Sequence, residues 1–249
     1  MPAPTKPENR IELVASFYDV PVDSVVQIAK LSQAERKPLC KELGLNPYIL
    51  RTMLDYTRYF EAGQIERYLL SQKEDISRMS VVDFGCLVAD YGIHFARLNA
   101  KVSVYDGEEA VKFASYRFAR EGLPVTACVI PHGHASLVAG ADLVVFGEVL
   151  EHIDNPLKVL EACVGQNVRY IFTSCYPFGD DKYFSLPGHR KSAQTLQPDC
   201  IQLLKNHYTM LSLHKKAVLW KRVGEAMPDS SCPGPEHLQQ ADAVNKIRG

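Results

Sequence analysis

From Ser80 onward the chain alternates short β-branched runs with amphipathic stretches of helical length. Two strands separated by a helix cannot close as a hairpin, so the alternation demands crossover connections and a parallel sheet. Residues 80–84, 101–106, 124–130, 143–146 and 169–174 read as strands. Residues 91–98, 108–121, 156–163 and 198–207 read as helices. The pattern then changes. Residues 210–213 and 217–222 are two β-rich runs joined by a tight turn at His214-Lys215-Lys216, which predicts a terminal antiparallel hairpin.

Upstream of this block the periodicity is helical. Ile11, Leu13, Val14 and Phe17, then Val25, Val26, Ile28, Ala29 and Leu31, recur near helical spacing. Pro21 marks one helix start, Gly44 a helix end, and Asn46-Pro47 another start. A long amphipathic helix is expected from Tyr48 to about Ser71. Residues 1–75 therefore form a helical extension, either a lid or platform over a substrate or a plain packing layer. Residues 76–226 form the α/β domain, and the Pro-, Gly-, Ser- and Gln-rich residues 227–249 a flexible tail.

Composition narrows the partners. The 249 residues suffice for one α/β domain and a small addition. A net charge of −1 supplies no basic field for nucleic acid or anionic lipid. No apolar run approaches the ~20 residues of a membrane span. The first residues lack the apolar core of a signal peptide. Seven scattered cysteines with no Cys-x-x-Cys pair read as reduced thiols, which predicts a cytoplasmic protein.

Two segments carry chemistry. The first is Asp83-Phe84-Gly85-Cys86-Leu87-Val88-Ala89-Asp90-Tyr91-Gly92, a strand-to-helix loop where glycine permits close backbone approach to a ligand. Asp106 ends the next strand, about 20 residues on, where a carboxylate can accept from both hydroxyls of a ribose. The second is Gly147-Glu148-Val149-Leu150-Glu151-His152-Ile153-Asp154-Asn155-Pro156, just past the apolar run that ends at Phe146. The carboxyl edge of such a strand is where open α/β sheets bind ligands. On a helical turn Glu148, Glu151 and His152 share one face. Three readings stay open: a divalent-metal site, a metal-free general base at His152, or a capping Glu151 with a packed His152. His189, in Leu186-Pro187-Gly188-His189-Arg190, is the best candidate for a further ligand or catalytic group, and Arg190 could meet an anion. Tyr176, Phe178, Tyr183 and Phe184 give the same insert an aromatic wall.

The Asp-x-Gly-Cys loop, the acidic end of the second strand and Glu-x-x-Glu-His-x-x-x-Pro together resemble the class I S-adenosylmethionine-dependent methyltransferases. The likeness covers roughly residues 79–223 and is strongest to the small-molecule O-methyltransferase branch that includes ubiquinone-biosynthesis enzymes. It implies a Rossmann-like, seven-stranded, mostly parallel sheet ending in an antiparallel hairpin. It implies S-adenosylmethionine as cofactor, held by Asp83, Gly85, Cys86, Asp106 and Glu148. It implies Glu148, Glu151 and His152 as ligands of a divalent metal ion; with His189 of the insert as the further ligand, His152, Glu148 and His189 are the candidate catalytic set. Pro131-His132-Gly133-His134 stands where the family meets adenine. Leu87 and Ala89 depart from the family's glycines, and Leu87 is expected to point into or beside the cofactor space. The function implied is methylation of a small molecule at oxygen. The alternatives are an RNA 2′-O-methyltransferase, which the neutral charge disfavours, and an inactive domain that keeps the fold.

Overall fold

The computed structural model describes residues 10–130, 138–177, 179, 181–186, 188–214 and 217–224. Seven strands form one sheet: β1 (Ser80–Phe84), β2 (Lys101–Asp106), β3 (Thr126–Val129), β4 (Leu143–Gly147), β5 (Tyr170–Ser174), β6 (Tyr208–His214) and β7 (Ala217–Arg222). Their spatial order is β3-β2-β1-β4-β5-β7-β6. β1 to β5 run parallel, and β7 lies antiparallel between β5 and β6. This is the mostly parallel sheet with a terminal hairpin that the sequence implied. The chain winds outward from β1 through β3, then restarts on the other side at β4. The carboxyl ends of β1 and β4 therefore flank a crevice at the reversal point, the usual ligand position in such sheets.

Ten α-helices are described. Four precede the sheet as a layer: α1 (Arg10–Tyr18), α2 (Val22–Ala29), α3 (Gln33–Glu42) and α4 (Pro47–Met53). Asn46 caps α4 by accepting from the N–H groups of Tyr48 and Ile49, and Gly44 takes φ +67° just after α3. The amphipathic stretch expected to be one helix is broken. Asp55 accepts from both the N–H and the hydroxyl of Thr57, which ends α4 and starts α5 (Thr57–Ser71) as a separate helix.

The remaining helices are α6 (Asp90–Arg97), α7 (Glu108–Arg120), α8 (Pro156–Gly165), α9 (Asp181–Phe184) and α10 (Lys191–His207). α10 begins seven residues before the expected start. Pro198 reads as a first-turn signal but lies inside the helix.

β4 and β5 are buried along their whole length, as central parallel strands should be. One core packs Ala62, Ile65 and Leu69 of α5 with Ile93 and Phe95 of α6 and Phe118 of α7 against the sheet. The other packs Leu160 and Cys163 of α8 with Cys200 and Leu204 of α10 against the opposite face. A third core joins α1 to α4 to Val88 and Phe113, with Leu87 and Tyr116 packed on it. Among the described residues, no helix is long and apolar enough to cross a membrane.

Candidate functional site

The loop after β1 is shaped by hydrogen bonds from below. The N–H groups of Gly85 and Cys86 both donate to the Tyr105 carbonyl, at 2.8 and 3.2 Å. Asp83 is 1% exposed and accepts from the Gly92 N–H at 2.9 Å, anchoring the first turn of α6. Burial pushes its carboxyl up to about 7, against the pull of the Gly92 N–H and Arg58. Cys86 is also buried in the sheet core, so only its backbone can meet a ligand. Gly85 takes φ +70°, and a Cβ there would lie 2.2 Å from Cγ2 of Val149. Glycine at 85 thus lets the loop touch the turn after β4.

Leu87 and Ala89 both adopt left-handed backbone, φ +48° and +56°, the conformation that glycine takes freely. The Leu87 side chain, expected to point into or beside the cofactor space, turns to the helical layer. It packs against the cluster built by α1 to α4, while its N–H donates to Asp106 at 2.7 Å. Asp106 also accepts from the Gly107 N–H at 2.6 Å. One lone pair per oxygen remains for a ligand.

Beyond β4 the backbone turns through Glu148, at φ +55°, into a short 3-10 turn over Leu150–His152. The expected helical face therefore does not form, and Glu148 separates from the other two. It is half exposed, 3.9 Å from Arg58, with the Cys175 thiol donating to it at 3.8 Å. Glu151 is 1% exposed. Tyr183 donates its hydroxyl to Oε1 of Glu151, and the Arg190 N–H donates to the Glu151 carbonyl at 2.8 Å. Burial pushes the Glu151 carboxyl up.

Nδ1 of His152 lies 3.0 Å from the Gly188 carbonyl, which can only accept, so Nδ1 holds the proton and Nε2 presents a lone pair. Gly188, at φ +89°, allows that approach. His189 is brought alongside, its ring centroid 4.8 Å from that of His152 and 4.4 Å from that of Tyr183. Burial, then the neighbouring His152, lowers its pKa.

Among the described residues, Glu151, His152 and His189 are the group with metal-ligand chemistry, their ligand atoms within 4.8 Å of one another. Glu148 is not one of them. Among the described residues, Oε2 of Glu151 and Nδ1 of His189 are buried without a hydrogen-bond partner. Tyr183 and Phe184 of the aromatic wall pack with His189. Phe178 and residues 131–134 lie outside the described residues.

Sequence reasoning missed Arg58 and Glu61, one turn apart on α5 and both buried. Glu61 accepts from the hydroxyls of Tyr91 and Ser174, tying α5 to α6 and to the end of β5. The signal was present: two charges stand on the apolar stripe at helical spacing.

No family model matches the chain, and no curated protein matches it in sequence. Solved structures do. The magnesium protoporphyrin IX methyltransferase of Synechocystis PCC 6803 with bound S-adenosylmethionine superposes with a TM-score of 0.52 at 13% identity, covering 89% of this chain and 100% of that one. Its complex with S-adenosylhomocysteine gives 0.52 at 14%, covering 87% and 100%. The mitomycin 7-O-methyltransferase gives 0.48 at 14%, covering 89% and 74%. The chain has the fold of the class I S-adenosylmethionine-dependent methyltransferases.

Proposed function

We propose that the chain transfers a methyl group from S-adenosylmethionine to a hydroxyl oxygen of a small molecule, with a divalent cation held by Glu151, His152 and His189. One observation carries this reading. The crevice between β1 and β4 has the carboxylate of Asp106 on one flank and, on the other, a two-histidine, one-carboxylate group with two buried polar atoms left unpartnered. Unpartnered buried polar atoms are costly, and a bound ion or substrate would satisfy them. The two Synechocystis structures above hold the cofactor or its product, which supports a cofactor of that kind for this chain.

The donor set suits Mn²⁺, Fe²⁺ or Zn²⁺ better than Mg²⁺, because imidazole is a poor ligand for a hard cation. When bound, such an ion lowers the pKa of a coordinated hydroxyl and orients it. The chain's own groups do the rest. Asp106 takes the ribose hydroxyls, and Gly85 leaves room for the backbone to approach. The Gly188 carbonyl fixes the tautomer of His152, as such carbonyls do for ligating histidines. Tyr183 holds Glu151 in place. These residues align nucleophile and methyl for in-line transfer, and the acceptor's proton leaves to an imidazole or to water. The neutral net charge favours a small acceptor over RNA.

Cobalt(II) titration tests the metal. The wild type should gain visible absorption with a saturable, one-ion stoichiometry, and His189→Ala and Glu151→Gln should lose it. Methyl transfer should stop with chelator and return with one of the three softer ions. Metal-independent turnover would instead assign the proton to His152 alone.

A further inference from the structure

α6 starts from an unfavourable residue. Its N-cap, Ala89, has no side chain to accept from the first N–H groups of the helix, and its backbone is left-handed, at φ +56° and ψ +37°. Leu87, two residues earlier, is left-handed as well. Neither alanine nor leucine holds that conformation by preference, so the surroundings must impose it. The shape of the loop depends on it. The Ala89 N–H closes a turn onto the Cys86 carbonyl at 2.7 Å, and the Ala89 carbonyl accepts from the Ile93 N–H at 2.9 Å.

The constraint comes from another helix. Arg117 of α7 is fully buried. Its Nη1 donates to the Val88 carbonyl and, at 2.8 Å, to Oδ1 of Asp90, one partner on each side of Ala89. Its Nη2 donates to the Tyr59 hydroxyl at 3.1 Å, which fixes the guanidinium from α5. α7 also runs close to the first turn of α6, where a Cβ on Gly92 would lie 3.3 Å from the Phe118 ring. The Val88 carbonyl belongs to the peptide group that turns with φ of Ala89. An ordinary negative φ would swing it off the guanidinium and leave a buried donor and a buried acceptor unpaired. The loop is thus held from two sides, by Arg117 at Val88 and by Asp106 at the Leu87 N–H. We propose that Arg117 is a positioning residue for the cofactor. From behind the loop it does what glycines would otherwise do, and it keeps the Gly85 backbone and the Asp106 carboxylate aligned for binding. This rests on the cofactor reading above.

The test is a double-mutant cycle read by calorimetric titration with S-adenosylhomocysteine. Arg117→Met should bind about 10-fold more weakly than wild type, the scale of one strained left-handed residue. Adding Ala89→Gly should return affinity to within about threefold of wild type, because glycine adopts the turn unaided. The same glycine should gain little where Arg117 is present. Arg117→Lys keeps the charge and can hold only one of the two partners at a time; it should show a smaller loss with the same rescue, and it serves if the methionine variant does not fold. Thermal stability should fall in every Arg117 variant and stay low after the rescue, which separates loop geometry from general destabilisation. Wild-type affinity in Arg117→Met, or a loss that Ala89→Gly does not recover, overturns the proposal and leaves Arg117 a structural tie between α6 and α7. No binding by the wild type overturns the cofactor reading, and this role with it.

Discussion

Asp83 shows how one buried carboxyl links loop geometry to pH. Its pKa rises from an ordinary 3.8 to about 7, first because of burial. The fold therefore prefers the protonated form. That contribution is complete below pH 3.8 and is lost as pH rises through about 7. Asp83→Asn stays neutral and can still accept from Gly92. The stability of the variant relative to wild type should therefore climb between about pH 4 and pH 7 and then level off. A flat difference in denaturation midpoints across that window would show Asp83 ionised throughout. Gly85 is constrained by contact as well as by its φ. Gly85→Ala forces a methyl onto Val149 and strains the backbone, so urea unfolding should show a loss of about 2–4 kcal/mol. Left-handed non-glycine residues cluster at this crevice: Leu87, Ala89, Glu148 and Cys175. Such strain persists where packing over-determines the backbone, which is common at functional sites.

The loop after β1 is an element rebuilt in a different material. Where glycines would make a turn by freedom, Leu87 and Ala89 make it by anchorage to the helical layer. Leu87→Gly removes strain of about 1 kcal/mol and a comparable amount of packing, so stability should barely move. Cofactor affinity should change by less than about threefold, or 0.7 kcal/mol. A tenfold gain in calorimetry would return Leu87 to the cofactor space. The sequence showed that the loop departs from pattern. The direction of the leucine depended on α1 to α4, whose contacts with Val88 and Phe113 leave no trace in local periodicity. The turn after β4 was legible in its residues but not in its shape. Spacing suggested one helical face, whereas Glu148 turns left-handed and leaves Glu151 and His152 to meet His189. The meeting of His189 with His152 was anticipated from the Pro-Gly turn before it. The links that hold it, from Tyr183 and Arg190 to Glu151 and from His152 to Gly188, are long-range and invisible in sequence.

At the scale of the molecule, strand–helix alternation predicted the sheet because each parallel strand needs its crossover. The terminal hairpin followed from its short turn. What alternation could not reveal is how the helical layer is tied to the domain. Arg10 of α1 and Arg117 of α7 both bind Asp90 at the start of α6, and Arg117 also donates to the Val88 carbonyl. Arg10 is flanked by the rings of Tyr56 and Tyr59. Arg10→Met should cost about 3–5 kcal/mol, because it leaves a buried charge cluster unbalanced. Unfolding should remain a single transition if layer and domain are one cooperative unit, and calorimetric scans would reveal a separate early melt if they are not. We propose that the crevice between β1 and β4 holds S-adenosylmethionine through the loop at Gly85 and the carboxylate of Asp106. Calorimetric titration with S-adenosylhomocysteine tests it most directly, in wild type and in Asp106→Ala. Saturable one-to-one binding is expected, weakened by Asp106→Ala by roughly 1–3 kcal/mol. No binding at ~1 mM ligand, where even a 4 kcal/mol interaction registers, or equal affinity in the variant, would contradict it.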